Sequence, residues 1–188
     1  MLRDEDILRL TRYAREVIAH ALGAAEPEAP RGGVFDAPAA TFVTLHHPDG
    51  TLQGCIGALR PREALALGVK HNALAAAFQD PRGQRLAPDD VRALEVEVSV
   101  LTPLERVDYD GSEEGARAAL RPGVDGLVLT WDGHDGTFLP QVWDELHDPK
   151  RFLDQLKRKA GLPTHFWSDG VLLHRYTVRA ATSHGALS

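Results

Sequence analysis

Apolar residues at Ile7, Leu10, Ala14, Val17, Ile18, Ala21 and Leu22 recur at three- and four-residue spacing after the acidic run Asp4-Glu5-Asp6, and Gly23 follows them. This pattern predicts an amphipathic helix with one buried stripe, a negative first turn matched to the helix dipole, and a glycine stop. Residues 24–40 carry Pro27, Pro30, Gly32, Gly33 and Pro38 and few large apolar groups, the composition of an extended surface connection. The period then changes to two. Residues 41–46 and 52–58 flank His47-Pro48-Asp49-Gly50, which predicts a β-hairpin with Cys55 on its second strand. Arg60-Pro61-Arg62-Glu63 opens a helix running to about Phe78, with Leu65, Val69, Ala73, Ala76 and Ala77 on one side. After a short helix at residues 88–93, Leu94, Val96, Val98 and Val100 alternate with Glu95, Glu97 and Ser99, the pattern of a half-buried strand.

The second half repeats this grammar. Ser112-Glu113-Glu114 caps a helix to about Leu120, and Arg121-Pro122-Gly123 breaks it. Leu127, Leu129 and Trp131 alternate before the turn at residues 132–136, and a short strand at 137–139 completes a second hairpin. Pro140 starts a helical segment. Pro149 opens another, with Phe152, Leu153, Leu156 and Ala160 inward and Lys157-Arg158-Lys159 as a solvated last turn. Residues 171–178 read as a closing strand and residues 180–188 as a fraying tail. The fold class is α+β, a mainly antiparallel sheet built from hairpins with flanking helices, as one domain over residues 1–188 that is long enough to form two lobes.

Charge narrows the partners. Lys and Arg number 21 against 27 Asp and Glu, a net charge of −6, which argues against a general nucleic-acid or anionic-membrane surface. No segment approaches the ~20 apolar residues of a membrane span, and the acidic start is unlike a signal peptide, so a cytoplasmic protein is expected. Cys55 is the lone cysteine and lacks the spaced partners of a zinc or iron–sulfur site. His46 and His47 are adjacent on a strand and are expected on opposite faces, as hairpin-end surface residues. No Walker loop, GxGxxG, HExxH or CxxC is present, and no cofactor of the chain's own is expected.

Cys55 lies between Gly54 and Gly57. Glycine inside a strand marks a bulge or a close approach by another backbone or a ligand. The thiol is then either substrate-facing or a small apolar group packed under a helix. A strand followed by a returning helix would bring His71 and Asn72 toward Cys55, a constellation resembling that of cysteine nucleophiles.

Leu52-Gln53-Gly54-Cys55-Ile56-Gly57 resembles the Leu-Arg-Gly-Cys-Ile-Gly signature of the AMMECR1 domain. The resemblance continues through His71-Asn72-Ala73, Phe78-Gln79-Asp80-Pro81-Arg82, Glu95-Val96-Glu97-Val98-Ser99-Val100-Leu101, Pro122-Gly123-Val124-Asp125-Gly126, Thr137-Phe138-Leu139-Pro140-Gln141-Val142-Trp143 and Leu156-Lys157-Arg158-Lys159-Ala160-Gly161. It spans about residues 5–179 and implies an AMMECR1-like α+β fold. Stand-alone prokaryotic members are similar to protein A of the AmmeMemoRadiSam system, which implies a Memo-like protein and a radical S-adenosylmethionine enzyme as partners. The resemblance also implies one cleft bordered by Cys55 and His71 as candidate catalytic groups and by Gly54, Ile56, Gly57, Asn72, Asp80 and Arg82 as candidate ligand contacts. The chain departs from the pattern at Gln53, where the family has Arg, and at Gly83-Gln84-Arg85, where it has Phe-Pro-Pro. Two functions are therefore expected to compete. One is an accessory component that binds a ligand or partner through the glycine-framed strand, which the missing Arg charge favours. The other is an enzyme or enzyme subunit using Cys55, assisted by His71, on a small molecule or a modified protein.

Overall fold

The computed structural model describes residues 2–184 and divides them into two compact units, residues 2–101 with 179–184, and Thr102–Val178. In the first unit, α1 (Asp4–Ala21) and α2 (Leu65–Phe78) cover one face of a four-stranded antiparallel sheet, with the short α3 (Pro88–Ala93) between α2 and the third strand. The strands are β1 (Ala40–His46), β2 (Leu52–Gly57), β3 (Glu95–Leu101) and β8 (Val178–Ser183), in the order β2-β1-β3-β8. The α1 stripe of Leu10, Ala14, Val17 and Ile18 meets Val43 and Leu45 of β1, Val69, Ala73 and Ala76 of α2, and Val96 and Val98 of β3 in one core. Each fully buried Leu, Ile or Val there contributes about 1.5–3 kcal/mol. The alanines of α2 let it lie close on the sheet.

Two boundaries differ from expectation. α2 begins at Leu65, not at Arg60, because Pro38 bridges Ala64 and the Leu65 N–H donates to the Ala37 carbonyl, which keeps Ala64 out of the helix. Residues 180–183, expected to fray, instead extend β8 along β3. The buried Arg15 secures them. Its guanidinium donates to the carbonyls of Val91 and Leu94 at 2.7 Å and of Ser183 at 2.9 Å. Residues 185–188 of the expected tail lie outside the described residues.

The second unit has its own antiparallel sheet in the order β4-β7-β5-β6, formed by β4 (Glu105–Arg106), β5 (Gly126–Trp131), β6 (His134–Phe138) and β7 (Leu172–Tyr176). The β5–β6 hairpin turns on Asp132 and Gly133 at φ 42° and 80°, the paired positive values of a two-residue turn whose twist matches that of the strands. α4 (Glu113–Ala118) and α5 (Pro149–Lys159) pack beside this sheet, and Trp143, from a 3-10 turn at Pro140–Asp144, stacks on Phe152 with ring centroids 3.7 Å apart. The end of α5 is solvated at Arg158 and Lys159, as expected, but not at Lys157. Lys157 is fully buried, paired with Glu113 at 2.9 Å and Asp154 at 3.1 Å, with its ammonium 5.9 Å from the Trp167 ring centroid. It shares the inward face with Leu153 and Leu156, and burying its charge requires both carboxylates.

Candidate functional site

The β1–β2 ladder pairs Val43 with Ile56, Thr44 with Cys55 and Leu45 with Gly54, and then slips so that His46 faces Leu52. Gln53 is the extra residue of a bulge. A bulge places two successive side chains on the same side of a strand, and both Gln53 and Gly54 face α2. A Cβ on Gly54 would fall 2.1 Å from the Ala76 carbonyl oxygen, and the Gln53 amide donates to the Ala77 carbonyl at 3.0 Å. Cys55 therefore projects from the opposite face, where its sulfur accepts from the Thr44 hydroxyl at 3.3 Å.

Side-chain alternation thus separates the expected catalytic pair. His71 sits on the outer side of α2, with more than half of its side chain exposed, and pairs with Glu63 at 2.8 Å. The helix and the sheet lie between it and the Cys55 thiol. Asn72 is also occupied, donating to the Thr41 carbonyl at 3.1 Å and its hydroxyl at 2.8 Å, and so fastens α2 to β1. Ile56 packs against the core. The space beside both glycines is filled by this chain's own atoms: Gly54 admits the α2 backbone, and Gly57 admits the Phe42 ring and the Thr41 carbonyl, each 2.3 Å from a Cβ placed there. The glycines serve close packing instead of framing an empty groove.

What does gather at Cys55 is the turn after α2. β2 is an edge strand, and the Cys55 N–H points outward to donate to Asp80 Oδ2 at 2.9 Å. Asp80 also accepts from the Arg82 N–H at 3.0 Å and from its guanidinium at 2.9 and 2.6 Å. These bonds, the Arg82 guanidinium first and the Cys55 N–H next, hold the Asp80 carboxyl far below the usual carboxylate range. Arg82 in turn is raised, chiefly by Asp80. Its side chain remains 58% exposed, so a fixed cation stands at the strand edge beside Cys55.

Gln53 locks the loop that follows. It is 1% exposed, with its amide donating to the Gln84 carbonyl at 2.8 Å and its oxygen accepting from the Gln84 N–H at 3.1 Å. Both donor hydrogens of its amide are used, so the 2.8 Å contact of its oxygen with His47 Nε2 requires that nitrogen to carry the proton. A side chain at Gly83 would meet the Gln53 carbonyl at 2.4 Å. Gln53 and the Gly83-Gln84 loop are thus physically coupled.

Sequence reading gave no role to the residues in line with the thiol. Across the sheet, Cys55 is followed by Thr44 and then Glu97, whose carboxylate accepts from Ser99 at 3.1 Å and lies 3.5 Å from the Thr182 hydroxyl. The next row holds His46 opposite Glu95, which pairs with His184 at 3.0 Å. A cavity of about 470 Å³ is lined there by His46, His47, Glu95 and His184. His46 and His47 share it because the strand ends between them and alternation no longer applies. Among the described residues no group of three or more His, Cys, Asp or Glu is arranged to hold a metal ion. The strand register would have predicted the Thr44–Cys55–Glu97 row had the bulge been visible in the sequence.

The AMMECR1 family model matches residues 11–181, more than nine-tenths of the described chain. The chain belongs to the AMMECR1 family. Among its relatives, this AMMECR1 protein is 35% identical to Protein MJ0810 of Methanocaldococcus jannaschii over 174 residues, covering 88% of this chain and 84% of that one. It is 36% identical to Protein TK0174 of Thermococcus kodakarensis over 184 residues, covering 92% and 86%. The crystal structure of uncharacterized protein PH0010 from Pyrococcus horikoshii superimposes with a TM-score of 0.80 at 30% identity, covering 99% of each chain. The α+β architecture of two antiparallel four-stranded sheets is therefore that of the family. No helix among the described residues is long and apolar enough to cross a membrane.

Proposed function

We propose that this AMMECR1 protein is an accessory, partner-binding component, and that its recognition surface is the β2 edge at Cys55 together with the Asp80–Arg82 turn. The observation that carries this reading is the exposed Arg82 guanidinium, held by both oxygens of a carboxylate that is itself fixed by the Cys55 N–H. A cation preorganised in this way meets an acidic group on a partner with little further ordering cost. The thiol's surroundings support binding over covalent catalysis. Its hydrogen-bond partner is a neutral hydroxyl, and the nearest expected base, His71, is committed to Glu63 across the helix. An activated cysteine needs an adjacent base or cation free to favour the thiolate.

The partners this reading names are a Memo-like protein and a radical S-adenosylmethionine enzyme, as the family resemblance implies. Isothermal titration of the full chain with a purified Memo-like protein and with a purified radical S-adenosylmethionine enzyme tests the assignment. Arg82→Glu is expected to weaken binding at least about tenfold, as for loss of a charge-assisted hydrogen bond. Cys55→Ser and His71→Ala are expected to leave binding unchanged. Loss of a measurable turnover in Cys55→Ser, with Arg82→Glu silent, would replace this reading with the enzymatic one.

A further inference from the structure

α1, the connection after it and α2 enclose a separate cavity of about 470 Å³, within the range of small-molecule sites. Val17, Leu74 and the ring of Tyr13 give its lining an apolar part. Tyr13 is 5% exposed, yet its hydroxyl has no hydrogen-bond partner among the described residues. Among the described residues no sealed side-chain polar atom lacks a partner, so this hydroxyl opens to the cavity that its ring lines. A phenol whose ring is buried and whose hydroxyl opens to a cavity presents a donor and an acceptor to whatever occupies it.

The rim carries charges of both signs. Glu26 and Glu28 come from the connection, Arg31 from its far end and Lys70 from α2, and none of the four forms an ion pair among the described residues. Glu26 lies close enough to the phenol to raise its pKa, second to the effect of burial. The remaining titratable group on the wall, His20, is occupied by the Ala24 carbonyl at 2.9 Å. Unpaired carboxylates and unpaired cations around a partly apolar lining complement a molecule that carries both charges on an apolar body.

We infer that this cleft binds a small zwitterion of the amino-acid type with an apolar side chain. Its ammonium is held between Tyr13 Oη and the Glu26 carboxylate, its carboxylate faces Lys70, and its side chain lies on Val17 and Leu74. This site does not rest on the partner-binding edge, and no residue is shared between them.

Titrating the full-length, ¹⁵N-labelled protein with L-phenylalanine, 2-phenylethylamine and 3-phenylpropionate separates the contributions. L-phenylalanine is expected to shift amide resonances of residues 13–31 and 70–74. Both single-charge probes are expected to bind at least about tenfold more weakly, the usual cost of leaving one charged group unpartnered. Glu26→Gln and Tyr13→Phe should each weaken L-phenylalanine binding several-fold. Tyr13→Phe should keep the melting temperature within about 2 °C, since the hydroxyl has no partner to lose. No shift at 10 mM L-phenylalanine, equal binding of 3-phenylpropionate, or indifference to both substitutions would overturn the assignment.

Discussion

Replacing Gly54 by alanine adds one methyl group where the structure has no room for it. The new Cβ would sit 2.1 Å from the Ala76 carbonyl oxygen and 2.9 Å from both the Ala76 carbonyl carbon and the Asp80 Cβ. Ordinary contact begins at 3.4 Å, so β2 and α2 must separate by about 3.4 − 2.1 = 1.3 Å at this point. Two of the three obstructing atoms are backbone, and no rotamer change relieves them. α2 is held on the sheet by Asn72 bonded to Thr41 and by buried Val69, Ala73 and Ala76, so the displacement loosens close-packed contacts along the helix. Overpacking of a well-filled core costs typically 1–3 kcal/mol, and this backbone contact belongs at the upper end, about 3 kcal/mol or more. At roughly 2–4 °C per kcal/mol for a chain of this size, the melting temperature should fall by about 6–12 °C. Calorimetry with urea titration followed by far-UV circular dichroism measures both quantities. The same shift would pull Asp80 from the Cys55 N–H, so amide exchange at Cys55 should accelerate. A midpoint within about 1 °C of the parent would refute the claim that the glycine exists for the approach of α2.

Asp80 supplies a pH test. Its carboxyl is depressed in the folded chain, so the stability it lends is fully present above the unfolded value of about 3.9 and is lost as pH falls toward its lower folded value. Asp80→Asn should therefore be less stable than the parent at pH 7, and the difference should shrink between about pH 4 and pH 2. A difference in urea midpoint that does not change with pH would rule out the depressed carboxyl. Arg15→Met should cost about 3 kcal/mol or more, because it leaves the carbonyls of Val91, Leu94 and Ser183 without their donor. Hydrogen exchange should show β8 opening first, and unchanged protection there would contradict its dependence on Arg15.

The chain's local patterns determined its elements. The stripe from Ile7 to Ile18, the alternation from Leu94 to Val100, and the turn residues at 47–50 and 132–136 each hold enough information to specify a helix, a strand or a hairpin, because period and turn chemistry act over a few neighbouring residues, although the second turn closes over Asp132 and Gly133 alone and β6 starts at His134. The family, and with it the α+β architecture, was also legible in the ordered motif blocks. Tertiary structure alone decided which groups meet. One extra residue at Gln53 inverts the facing of everything N-terminal to it in β2, and no local signal announces such a bulge. Gly54 and Gly57 read as places where something approaches closely. That the approaching partners are α2 at Gly54 and Phe42 at Gly57 depends on how a helix some 20 residues later packs on the strand and on the register with β1. Cys55 and His71, near in sequence, face away from each other because a strand side chain has two possible sides and a helix side chain a full circle, and core packing alone selects among them. Arg15 and Ser183, 168 positions apart, meet for the same reason: burying a guanidinium requires acceptors, and the folded chain supplies them from wherever they lie in sequence.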